Sequence, residues 1–161
     1  MAILGFPLWA NWPQPSLASQ TQADRLVVDK NSRRLMVYSK GALVREYRVS
    51  LGREPVGPKM QQGDRRTPEG LYLIDHHNPA SRFHRALHVS YPSPTDTVRA
   101  KVAGVDPGGE IMVHGIQNGL GWLGRAHRLV DWTTGCIALT DPEIEELYRI
   151  VPDGTPIEIR P

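Results

Sequence analysis

The stretch Asp24–Leu51, DRLVVDKNSRRLMVYSKGALVREYRVSL, decides the fold class. It holds three runs rich in Val, Leu and Tyr: Arg25–Asp29 (RLVVD), Arg34–Ser39 (RLMVYS) and Leu43–Leu51 (LVREYRVSL). Lys30-Asn31-Ser32 and Lys40-Gly41 break them with turn chemistry, so the segment reads as a β-meander. In the third run Val44, Val49 and Leu51 can line a half-buried strand. Further along, Leu71–Asp75 (LYLID), Leu87–Tyr91 (LHVSY), Ile111–His114 (IMVH), Cys136–Leu139 (CIAL) and Pro156–Ile159 (PIEI) read as short strands.

Helices are fewer. Thr140-Asp141-Pro142-Glu143 has the form of a capping box, with Thr140 as cap and Pro142 in the first turn. Ile144, Leu147, Tyr148 and Val151 follow at helical spacing, and Pro152-Asp153-Gly154 stops the run, which predicts one C-terminal helix over about 140–151. Thr95–Ala103 predicts a short helix capped by Thr95 or Asp96. Gly115–Thr134 reads as loop with a helical turn, and Gly52–Gly70 as a long polar loop of the functional kind. The fold class is therefore mainly β (α+β).

The composition agrees. The chain has 161 residues, of which 40% are hydrophobic and 22% charged, enough for one domain with a core. Fifteen Gly and 14 Pro favour turns and short strands over long helices. A net charge of +2 with no basic run gives no support for nucleic acid. No stretch reaches the ~18 apolar residues of a membrane span. Residues 1–20 carry no charge and include Ser16-Leu17-Ala18-Ser19, like the end of an export signal, although a basic leading segment is missing. Residues 1–22 are thus expected to be an N-terminal arm or signal remnant, and 23–161 the folded domain.

One cysteine excludes an intrachain disulfide and a thiolate metal site. Cys136 alone reads either as a small buried hydrophobe or as a nucleophile. It follows Thr133-Thr134-Gly135, a turn whose successive N–H groups can converge on an oxyanion. A nucleophilic thiol needs a base. Among six histidines, His114 fits best, because it ends a strand and precedes Gly115. The alternative for it is a hydrogen-bonded structural histidine. His127 lies in an Arg-rich loop and reads as solvated or substrate-facing. His84 and His88 are four apart but no Glu follows His84, and His76 and His77 are adjacent in a strand and face opposite ways, so no metal site and no cofactor is expected.

Met112-Val113-His114-Gly115 followed by Thr133-Thr134-Gly135-Cys136-Ile137-Ala138-Leu139 resembles the YkuD-type L,D-transpeptidase domain. Thr67-Pro68-Glu69-Gly70-Leu71-Tyr72 and Val49-Ser50-Leu51-Gly52 resemble two further segments of that family. Asp131-Trp132, Asn78-Pro79 and Ser90-Tyr91-Pro92 resemble its YafK-like branch in Gram-negative bacteria, as do Thr134 and Ala138, where many other members carry His and Arg or Asn.

The resemblance implies a mixed β-sheet sandwich or barrel-like core with short loop helices. It implies Cys136 as nucleophile, His114 as base oriented by the Gly115 carbonyl, and an oxyanion hole of the Thr134, Gly135 and Cys136 N–H groups. The substrate would be a peptidoglycan tetrapeptide stem containing meso-diaminopimelate and D-Ala. The outcome would be a 3-3 crosslink or D-amino-acid exchange, or else hydrolysis, including release of a peptidoglycan-linked lipoprotein. Arg125, His127, Arg128, Trp132, Thr133, Arg82 and His84 are the candidate substrate contacts. The setting would be the periplasm or cell envelope. A non-catalytic peptidoglycan-binding module is the alternative from a different class.

Overall fold

Turn chemistry builds the first hairpins of the computed structural model, which describes residues 9–161. Strand β1 (Arg25–Asp29) pairs antiparallel with β2 (Arg34–Ser39), and β2 with β3 (Ala42–Arg48). Lys40 and Gly41 both take positive φ, 51° and 79°, which is the two-residue connection whose twist suits a hairpin. Leu26, Val28, Leu35 and Val37 are fully buried, so alternate positions of β1 and β2 face the core.

Strand β4 (Gly70–Ser81) is longer than the expected Leu71–Asp75. Its first half pairs with the C-terminal strand β8 (Pro156–Arg160) and its second half with β5 (His84–Val89), across register shifts at Ile74/His76 and Asn78/Ser81. Those bulges interrupt the two-residue period that marks a strand in sequence. Helix α1 (Pro94–Ala103) is capped by Ser93 rather than Thr95 or Asp96. Ser93 Oγ accepts the Asp96 N–H at 3.1 Å, and Asp96 Oδ2 accepts the Ser93 N–H at 3.0 Å. Pro94 has no N–H to satisfy and so fits the first helical position.

Strand β6 (Met112–His114), a kinked 3-10 segment (Gly121–Leu129), strand β7 (Ile137–Ala138) and helix α2 (Asp141–Ile150) complete the chain before β8. The Thr140/Glu143 capping box is formed, and α2 buries Ile144, Leu147 and Ile150.

The sheet order is β3-β2-β1-β8-β4-β5-β6-β7. β8 runs parallel to β1 and β7 parallel to β6; the other pairs are antiparallel. The third run of the meander does not continue as strand to Leu51. Beyond β3, Ser50 instead bridges Ala138 and Gly52 bridges Thr133. The continuation of one edge strand therefore meets the strand at the other edge, and the sheet curls into a half-barrel around the apolar core.

Residues 1–8 of the expected arm lie outside the described residues. From Trp9 on, the arm runs against the 3-10 segment and α2. Arg125 donates to the Trp12 carbonyl at 2.9 Å, the Leu17 N–H donates to Glu146 at 3.1 Å, and Arg149 donates to the Ser19 carbonyl at 3.2 Å.

Candidate active site

Register places His114 and Cys136 on one face. Val113 pairs with Ile137 and His114 with Ala138. Ile111, Val113, Ile137 and Leu139 belong to the apolar core. Successive strand residues alternate faces, so Met112, His114, Cys136 and Ala138 share the opposite face. Extending the register by one residue sets Cys136 beside Met112, one strand over and two positions back from His114. Ala138, directly opposite His114, is fully buried.

The His114 ring is fixed. It is only 3% exposed, and its Nδ1 lies 2.7 Å from the Gly115 carbonyl oxygen. A carbonyl only accepts, so Nδ1 carries the proton and Nε2 keeps the lone pair. Phe83 stacks on the ring at 4.5 Å and Trp132 meets it edge-on at 5.7 Å. Desolvation lowers the His114 pKa to about 4, against the opposing pull of the Gly115 carbonyl. The imidazole is therefore neutral at pH 7.

Cys136 is half-buried, and its thiol lies 3.5 Å from the Glu110 carbonyl oxygen. Burial pushes the thiol pKa up to about 11. The resting site thus holds a neutral thiol and a neutral base.

The turn before Cys136 is braced from within. Thr133 Oγ1 donates to the Cys136 carbonyl at 2.8 Å and accepts the Gly135 N–H at 3.1 Å. Gly135 has φ 141°, and a Cβ there would lie 2.8 Å from the Arg66 carbonyl oxygen. Only glycine fits such a place. Among the described residues, no protein acceptor takes the N–H of Thr134 or Cys136. The Gly135 N–H, by contrast, is held inside the turn.

The segment Val49–Gly52 anchors this loop. Ser50 Oγ contacts the His127 and Val130 carbonyls at 3.2 and 3.1 Å, the Leu51 N–H donates to Asp131 at 2.9 Å, and the Gly52 N–H donates to Thr67 Oγ1 at 3.0 Å. Thr67 opens the Thr67-Pro68-Glu69-Gly70 stretch, so both segments singled out in the sequence act as supports of the Cys136 turn.

The other candidates divide. Trp132 and His127 belong to the aromatic cluster beside His114: Trp132 Nε1 donates to His127 Nδ1 at 3.2 Å. His127 is 6% exposed, and desolvation, with Arg128 next, lowers its pKa to about 3. Thr133 is used within its turn. Arg128 forms an ion pair with Glu143 on α2, and Arg125 holds the N-terminal arm. His84 is engaged by Glu145 at 2.8 Å. The Arg82 guanidinium makes no hydrogen bond or ion pair among the described residues, and Arg82 precedes the Phe83 that stacks on His114. Phe83 itself gave no signal in the sequence, since only the fold brings a β4–β5 turn residue onto the His114 ring.

A half-barrel of this strand order matches known proteins. The family model of the YkuD L,D-transpeptidase catalytic domain matches residues 23–159, and the chain belongs to that family. YafK of Escherichia coli (strain K12), named as an L,D-transpeptidase, is 27% identical over 128 residues, which is 76% of this chain and 44% of that protein. The helical cell shape determining protein Pgp2 from Campylobacter jejuni superposes with a TM-score of 0.66 at 25% identity, over 97% of this chain and 54% of Pgp2. An L,D-transpeptidase from Mycobacterium smegmatis shares the fold, with a TM-score of 0.55 at 18% identity over 86% of this chain and 59% of that one. The chain spans about half the length of these relatives.

Proposed function

We propose that residues 23–161 are a cysteine acyltransferase domain acting on peptidoglycan tetrapeptide stems, with Cys136 as nucleophile and His114 as base. The observation that carries this reading is the His114 tautomer: with Nδ1–H given to the Gly115 carbonyl, Nε2 is the free basic atom on the face that Cys136 shares.

In the donor half-reaction, Cys136 Sγ bonds to the carbonyl carbon between the L-centre of diaminopimelate and D-Ala. The thiol proton passes to His114 Nε2 and then to the departing D-Ala amine, leaving a thioester. The N–H groups of Thr134 and Cys136, uncommitted inside the protein, are the preferred oxyanion donors. The Gly135 N–H joins them only by giving up Thr133 Oγ1. In the acceptor half-reaction a side-chain amine of a second stem attacks the thioester, loses its proton to His114 and returns Cys136 as thiol. The product is a 3-3 crosslink. Water in place of the amine gives hydrolysis with the same two residues.

Arg82 is the side chain proposed to meet a stem carboxylate, and Trp132 and Phe83 wall the cleft over His114. Peptidoglycan sets the place of action in the cell envelope.

Incubation of the protein with tetrapeptide muropeptides, read by mass spectrometry, tests the reading. An acyl-enzyme mass on wild type and none on Cys136→Ala, with crosslinked dimers lacking D-Ala, is the expected result. Trimmed products without dimers would assign a hydrolase. A wild type that never acylates while binding peptidoglycan would leave a binding module.

A further inference from the structure

On the face that carries His114 and Cys136, two strands away, three side chains converge on one point. Asp75 Oδ1 lies 2.9 Å from His76 Nδ1 and 2.7 Å from His88 Nδ1. The two imidazole rings are stacked, with centroids 4.4 Å apart and planes 19° from parallel. The three ligand atoms lie within 4.8 Å of one another.

A regular strand could not assemble this set, because Asp75 and His76 are consecutive and would face opposite ways. The register shift between Ile74 and His76 removes that constraint, since a bulge lets neighbouring residues share a face. His76 then pairs with His88, and His88 with Met112, which stands beside Cys136. Two interstrand steps put the cluster about 10 Å from the nucleophile's row.

We propose that Asp75, His76 and His88 bind one divalent transition-metal ion of the zinc class. Two imidazole nitrogens and a carboxylate oxygen are a donor set suited to zinc. As a purely hydrogen-bonded group the arrangement stacks two imidazoles whose Nδ1 edges compete for one oxygen. A single cation takes the place of both Nδ1 protons, each neutral ring then keeping its proton on Nε2. Three protein ligands leave a coordination position open for water or another ligand. His76 is 57% and His88 15% exposed at the side chain, so the ion has access from solvent.

The site uses neither Cys136 nor His114, and it stands or falls separately from the acyl-transfer reading. Tag-free Cys136→Ser protein, in which the nucleophile offers no thiolate, is titrated with Zn²⁺ by calorimetry, and with Co²⁺ by visible absorption. One equivalent of each is expected to bind. His76→Ala, at an exposed position, and Asp75→Asn, which keeps an accepting oxygen, should each weaken binding at least about tenfold. Binding unchanged in both variants would overturn the proposal. So would a parent that takes up no metal, or metal uptake by wild type that disappears in Cys136→Ser.

Discussion

His114 and Cys136 are both uncharged at rest. Burial lowers the histidine pKa to about 4 and raises the thiol to about 11, so neither is charged at pH 7. The thiolate forms only as pH rises, because desolvation disfavours the charged sulfur. Alkylation of Cys136 by iodoacetamide should therefore be slow at pH 7 and climb steadily beyond pH 9. A rate that levels off below pH 8 would contradict this environment. A slow free thiol does not preclude catalysis, because transfer to Nε2 accompanies attack on a bound carbonyl. Replacing His114 by Gln, which keeps bulk but no base, should lower acylation by about 10²–10⁴-fold with substrate binding retained. Arg82→Ala should raise KM about tenfold or more with kcat little changed, the signature of a lost charged contact made equally in ground and transition states.

His114 and Cys136 could be singled out in the sequence because chemistry confined to two short motifs needs no knowledge of distant neighbours. Phe83 and the Arg66 carbonyl were not, since each reaches the site through a loop whose path depends on the whole sheet. The basic residues of the 125–128 loop were read for their charge. Charge alone does not tell whether an arginine meets substrate or, like Arg128, a buried carboxylate.

Helix α2 shows how one residue can join two elements. Glu143 Oε2 accepts the Thr140 N–H at 3.0 Å in the capping box, while Oε1 takes Arg128 from the 3-10 segment. Both partners of the pair are largely buried, with side chains 10% and 15% exposed. Glu143→Ala removes the reciprocal cap and leaves the Arg128 charge without its partner, at a cost of about 3–5 kcal/mol. Urea denaturation should show that loss. Thr140→Ala, which removes the cap's hydroxyl together with its methyl, should cost about 1 kcal/mol. The α2 capping box was visible in the sequence because the motif is local and polar. The length of β4 was not, because its bulges break alternation. The end of β3 was hidden too, since Ser50 and Gly52 find their partners more than 80 residues on, in β7 and in the turn before Cys136.

At the scale of the whole molecule, two buried histidines tie stability to pH. Their folded pKa values, about 4 for His114 and about 3 for His127, lie below the ordinary 6.5. The unfolded chain takes up these protons first as pH falls, so the stability they confer is complete above pH 6.5. It drains away below that, down through the folded values. Each site is worth on the order of 3–5 kcal/mol. The melting temperature should fall between pH 6.5 and 5, before ordinary carboxylates titrate, and His127→Asn should flatten that fall. A melting temperature constant over this window would refute the account.

Strand content was readable from apolar runs, but strand order was not. Nothing local in PIEI says that β8 belongs between β1 and β4. That position carries a temporal consequence. During synthesis, the β1–β3 and β4–β7 ribbons can meet through Ser50–Ala138 and Gly52–Thr133, but each keeps an open edge where β8 will lie. The contacts that join them span most of the chain, and such distant pairings form slowly. β8 must have been synthesised before the two ribbons can be joined along that edge. Until then both ribbons carry an unpaired edge and the half-barrel cannot be completed.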